Sequence, residues 1–164
     1  MAFLHLIEAN HPTVAALRRR LPERLGRWAP HLIAAEICYG VDPLLLAAII
    51  DRESMGGDAL HPKGPTGKGD HGHGHGLGQV DDRAHPSFLS ATFDEGSPLW
   101  ADPAFNILYG ARLLRRNLDL CGGDQLVAVA GYNCGLRRAH NAIAAMEPSD
   151  AESPTLKIAA LDKL

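Results

Sequence analysis

Nine of the chain's 17 glycines fall between residues 55 and 78, in a stretch with no helical period. No helix can run through it, because each interior glycine costs about 1 kcal/mol relative to alanine. The fold must therefore set helices on either side of an irregular middle, where loops and a short hairpin are expected. Leu77 to Val80 is the best strand candidate. Before it, Val14, Leu17, Leu21, Leu25 and Trp28 recur at helical spacing, and Pro22 breaks that pattern. His31 to Tyr39 predicts a helix stopped by Gly40. Asp42-Pro43 is a cap followed by proline at the first helical position, and the apolar run Leu44 to Ile50 carries that helix to about Ser54. Being apolar nearly all round, it is the expected central, buried helix.

After the glycine-rich middle, Asp102-Pro103 repeats the start signal, with a stripe of Ile107, Ala111, Leu114 and Leu118. Asp124 caps a helix through Ala130, and Leu136, Ile143 and Met146 mark another. Leu156, Ile158 and Leu161 hint at a last short helix. No internal repeat or linker divides the 164 residues, so a single domain over 1–164 is expected.

Composition narrows the function classes. Hydrophobic residues make up 46% and charged residues 21%, as in a globular domain. The apolar run of Leu44 to Ile50 is far short of the ~20 residues a membrane span needs. A net charge of −3 and a pI near 6.3 speak against nucleic acid as a partner. The basic run Arg18 to Arg20 reads as a solvated helix face. Three cysteines, Cys38, Cys121 and Cys134, form neither a disulfide framework nor a zinc motif. They are expected as mostly buried thiols. No N-terminal segment has the layout of a signal peptide.

Two features can carry chemistry. Glu53 follows Ile49 and Ile50 at helical spacing, so its carboxyl shares an apolar face. That placement favours the neutral form a general acid needs, although a solvated surface Glu would fit the position equally. The second is the segment from Gly69 to Asp81, where alternate glycines permit tight turns and close backbone approach. Asp70 and Asp81 flank it. Folded as a hairpin, it could set both carboxylates opposite Glu53, and an acid and a base carboxylate ~6.5–9.5 Å apart suit an inverting glycosidase. His71, His73 and His75 alternate as strand residues on one face would, which invites a metal reading. The run lacks the usual zinc-site layout, and no metal or cofactor is expected. Gly67-Lys68 lacks the spacing of a phosphate loop.

These residues, taken in order, resemble the goose-type lysozyme family. The likeness rests on Ile49-Ile50-Asp51-Arg52-Glu53-Ser54 and on Gly69-Asp70 through Gly76-Leu77-Gly78-Gln79-Val80-Asp81, with Arg83 and His85. It continues in Asn106-Ile107 with Gly110, and in Gly131-Tyr132-Asn133-Cys134-Gly135. It covers about residues 31 to 138. The resemblance implies a mainly α, lysozyme-like α+β fold: a helical bundle around a buried central helix, with a small β-hairpin. It implies cleavage of the β-1,4 bond between N-acetylmuramic acid and N-acetylglucosamine. Carried over, Glu53 falls on the general acid, and Asp70 and Asp81 on the aspartates that position water. Tyr132 and Asn133 fall on the cleft floor, and His75, Gln79 and His85 join the expected substrate contacts.

Related lytic transglycosylases generally lack the aspartate pair, so its presence favours hydrolysis. An anhydro-forming transglycosylase, a chitinase, and a sugar-binding domain without catalysis are the alternatives. His73 and His75 stand where the family often has Asn and an aromatic, and Gly131 and Cys134 replace alanines. A monomer acting on peptidoglycan or a chitin-like polysaccharide is expected. It would be a bacterial or phage member: an endolysin, a virion-associated lysin, or a secreted enzyme trimmed of its leader.

Overall fold

The computed structural model describes residues 11–93 and 95–146. These form eight α-helices and one three-stranded antiparallel sheet, the mainly α architecture expected of a lysozyme-like chain. They divide into two compact units between Arg112 and Leu113. No helix among the described residues is long and apolar enough to cross a membrane. The helix expected around Leu156 to Leu161 lies outside the described residues.

The first unit opens with α1 (Pro12–Arg18) and α2 (Glu23–Gly26), separated at Pro22 as its missing N–H requires. α3 (Ala29–Tyr39) ends where Gly40 turns left-handed at φ 61°. In α4 (Pro43–Ser54) the Asp42 carboxylate accepts from Leu44 and Leu45 N–H, two donors with no partner inside the helix. Leu46, Ala47, Ile49 and Ile50 bury one side of α4, and Ala48 and Arg52 lie on its exposed edge.

The sheet follows: β1 (Lys68–Gly69), β2 (Gly74–His75) and β3 (Val80–Asp81), in that spatial order. The strand expected over Leu77 to Val80 begins only at Val80. Gly76 and Gln79 take positive φ and reverse the chain there, so Leu77 is buried from within a turn. α5 (Pro86–Ser90) and the start of α6 (Pro103–Leu120) complete the unit, and the Asp102 carboxylate caps α6 at Phe105 N–H.

In the second unit α7 (Gln125–Cys134) is capped by Asp124 and runs four residues past the expected end at Ala130. α8 (Leu136–Ala144) follows after Gly135. A Cβ on Gly131 would stand 2.6 Å from Leu136 Cδ2, so glycine there lets the two helices close. The cysteines differ from expectation: Cys38 is exposed, Cys121 and Cys134 are half-buried, and all three are free thiols. Each sits on or beside a helix whose apolar face is already filled by Leu, Ile, Val and Ala.

Candidate active site

Glu53 stands in the last turn of α4, half-buried, one turn beyond Ile49 and Ile50, which are 5% and 1% exposed. The helix ends one residue later, at Ser54, because Met55 adopts φ 50° and Gly56 φ 66°. That end is held from α2 and α3. Arg24 donates two 2.7 Å hydrogen bonds to Asp51, and the Gly56 carbonyl accepts from Trp28 Nε1 at 3.0 Å and Arg27 Nη2 at 2.9 Å. A Cβ on Gly56 would lie 2.9 Å from the Arg24 carbonyl oxygen, so only glycine fits. Glu53 thus sits on a fixed support.

The sheet has two chemically different faces, as period-2 alternation requires. Gly74 pairs with both Gly69 and Asp81, so these three positions share one face. Two of the three have no side chain. Gln79 folds over them, its amide in contact with where a Cβ of Gly69 or Gly74 would be, and its Nε2 donates to the Gly76 carbonyl at 2.8 Å. Arg83 reaches both aspartates. Its Nη2 donates to Asp81 Oδ2 at 2.6 Å and to Asp70 Oδ2 at 2.8 Å. Its Nε and backbone N–H both donate to Asp81 Oδ1, at 2.9 and 2.8 Å. The structure therefore brings together Asp70 and Asp81, eleven residues apart in the chain. The Arg83 hydrogen bonds hold the Asp81 carboxyl down at about 2 against the opposing effect of burial. Arg83 in turn is raised by the same partner.

The opposite face carries Lys68, His75 and Val80. His75, expected to touch substrate, is 1% exposed, with its ring edge-on to Trp100 at 4.7 Å. Asp82, next along from β3, lies on this face too. Its carboxylate takes His73 Nδ1 at 2.9 Å and His75 Nε2 at 3.0 Å. An ionised carboxylate only accepts, so each facing nitrogen carries a hydrogen. The His75 bond first, then the His73 bond, lowers the Asp82 pKa. His73 and His75 thus serve a carboxylate bridge. Among the described residues no group of three or more His, Cys, Asp or Glu is arranged to hold a metal ion.

Sequence reasoning missed Asp82 and, as a structural anchor, Asn106. Fully buried, Asn106 accepts from Gly78 N–H at 2.8 Å and donates from Nδ2 to the His75 and Trp100 carbonyls at 3.0 and 3.1 Å. Its amide also fills the space a Cβ on Gly76 would need. His85 is half-buried at the start of α5, its ring edge-on to Tyr109 at 5.8 Å with Nδ1 3.4 Å from the Tyr109 hydroxyl. Tyr132, half-buried, and Asn133, exposed, lie on α7 in the second unit.

All four non-glycine residues with positive φ among the described residues, Met55, Asp70, His71 and Gln79, fall between Glu53 and Asp81. Strain of this kind costs of order 1–3 kcal/mol per residue and gathers at functional sites.

Over 53 residues the chain is 47% identical to lysozyme G of Dromaius novaehollandiae and to lysozyme g of Struthio camelus, covering 32% of this chain and 23% of each relative. Lysozyme g of Casuarius casuarius matches at the same identity over 25% of its length. The chain thus spans about a quarter of the length of the curated relatives it matches. A model of the transglycosylase SLT domain matches residues 31–153, well over half of the chain. With its helical architecture and three-stranded sheet, this chain belongs to the transglycosylase SLT domain family, within the lysozyme-like superfamily.

Proposed function

We propose that residues 1–164 act as one catalytic domain, a peptidoglycan hydrolase. It cleaves the β-1,4 bond between N-acetylmuramic acid and N-acetylglucosamine with inversion. Glu53 protonates the glycosidic oxygen, and Asp70 and Asp81 position the attacking water. The observation that carries this reading is the aspartate pair itself, two carboxylates drawn onto one guanidinium. An enzyme that closes an anhydro ring needs no second carboxylate to hold water. Gln79, His85, Tyr132 and Asn133 serve substrate binding in this reading, and buried His75 contributes by holding the hairpin's shape.

The matching family's description favours a second reading, lytic transglycosylation, in which Glu53 serves as both acid and base. Mass spectrometry of fragments released from purified peptidoglycan separates the two. Reducing-end muropeptides are expected; anhydro-muropeptides, lighter by one water, would overturn hydrolysis. Release of fragments from chitin but not from peptidoglycan would overturn the substrate.

A further inference from the structure

We propose that Arg83 is a positioning residue that divides the labour between the two aspartates. It fixes Asp81 as a charge-paired anchor and leaves Asp70 to hold the attacking water and receive its proton. The inference rests on the hydrolytic reading above.

The two carboxylates differ in occupancy. A carboxylate offers about four lone-pair sites. On Asp81, Arg83 takes them with its backbone N–H at 2.8 Å, Nε at 2.9 and 3.2 Å, and Nη2 at 2.6 Å. Asp70 accepts from the same Nη2 at 2.8 Å, and its side chain is 57% exposed against 38% for Asp81. Asp70 is therefore the carboxylate with acceptor sites left for water. Because both carboxylates meet one nitrogen, their Oδ2 atoms lie no more than about 5.4 Å apart, a range in which like charges repel unless a cation sits between them. Arg83 is that cation.

The groups surrounding the pair support the same division. Arg83 faces Asp81 directly, and Asp70 meets it through Arg83. Asp82, with His73 and His75, occupies the opposite face of the sheet. Asp81 stays ionised to about pH 2, which suits an anchor and makes it a poor proton acceptor.

The step balances. The water oxygen bonds to the anomeric carbon as one water O–H bond breaks and its proton passes to Asp70. The bond from the anomeric carbon to the glycosidic oxygen breaks, and that oxygen takes the Glu53 proton. Afterwards Asp70 is protonated and Glu53 ionised, and exchange with solvent restores both.

The test compares the full chain with its Asp70→Asn, Asp81→Asn, Arg83→Lys and Arg83→Gln variants on purified peptidoglycan, from about pH 3 to 8. Product masses are read alongside kcat and KM. Asp70→Asn is expected to lower kcat about 100-fold or more with KM little changed, as loss of a proton acceptor does. Asp81→Asn is expected to lose clearly less, because the amide oxygen that replaces its carboxylate still accepts from Arg83. Arg83→Gln is expected to move the acid limb of the profile upward by about one pH unit, since two neighbouring carboxylates then share no cation. Arg83→Lys, which keeps the charge without the fork, is expected to fall between.

An Asp81→Asn loss equal to or larger than that of Asp70→Asn would overturn the division of roles. So would an Arg83→Gln profile merely scaled down at every pH. Anhydro products from the unaltered chain would instead overturn hydrolysis and this inference with it. Reducing-end products combined with the wrong order of variants would overturn this inference alone.

Discussion

Asn106→Ala is the sharpest test of how the hairpin is held. The Asn106 side chain links α6 to three backbone groups: Gly78 N–H, and the His75 and Trp100 carbonyls. All three bonds are buried. At a net value of about 1 kcal/mol per hydrogen bond the substitution costs about 3 kcal/mol, and if those groups stay dry the cost rises to about 6 kcal/mol. Against a total stability of about 5–15 kcal/mol this is a large fraction. Urea unfolding at matched m-value should show it, and the midpoint of thermal unfolding should fall by about 6–12 °C at the lower figure. Asn106→Asp discriminates further. It keeps the acceptor for Gly78 N–H but turns a carboxylate oxygen toward two carbonyl oxygens, so it should be no better than alanine despite its matching shape. A loss below about 1 kcal/mol for Asn106→Ala, or an Asp variant near the unaltered protein, would refute the claim that these bonds hold the turn.

Three further outcomes follow from the same geometry. Glu53→Gln should abolish turnover with the fold intact by circular dichroism; retention of more than about a tenth of the activity would remove Glu53 as the acid, since such a group contributes ~10²–10⁴-fold. Asp81 has its pKa lowered from 3.8 to about 2 in the fold, so its stabilisation is present above the unfolded value and is lost as pH falls from about 4 through 2. Asp81→Asn should flatten stability against pH in that window, and an unchanged acid slope would contradict the Arg83 pairing. Trp28→Phe and Arg27→Ala each leave the Gly56 carbonyl one donor. Each alone should cost about 1 kcal/mol and the pair more than the sum, so additivity within about 0.3 kcal/mol in a double-mutant cycle would refute the shared anchor.

The helices are legible because their signals are local. Asp42-Pro43, Asp102-Pro103 and Asp124 each mark a start within a residue or two, and Gly40 marks a stop. The hairpin is legible only as a region, because glycine density announces turning without saying where pairing resumes. Leu77 looks like strand on hydropathy, yet the conformations of Gly76 and Gln79 place it in the turn. Asp70 and Asp81 can be named from the sequence, but their convergence on Arg83 is a contact across the hairpin that no local pattern announces. The family resemblance sets His75 among the substrate contacts, and a motif position says nothing of burial. What buries it is Trp100, on a segment 25 positions further on, and no local pattern carries that information.

The neighbours Asp81 and Asp82 show how two carboxylates with separate partners hold the hairpin steady. Asp81 ends β3 and Asp82 follows it, and the two neighbouring carboxylates are held by different partners. Asp81 is neutralised by a permanent cation, whereas Asp82 is satisfied by two imidazoles, one buried and one half-buried. The buried His75 Nδ1 has no hydrogen-bond partner among the described residues, so that ring gives up one polar contact to gain its packing on Trp100. His75→Phe should therefore leave stability within about 1 kcal/mol of the original: it loses one bond to Asp82, which keeps His73, and relieves a buried nitrogen. A loss beyond about 2 kcal/mol would mean that Asp82 needs both imidazoles, and that the inner face of the hairpin is held by its charge pairing more than by its aromatic packing.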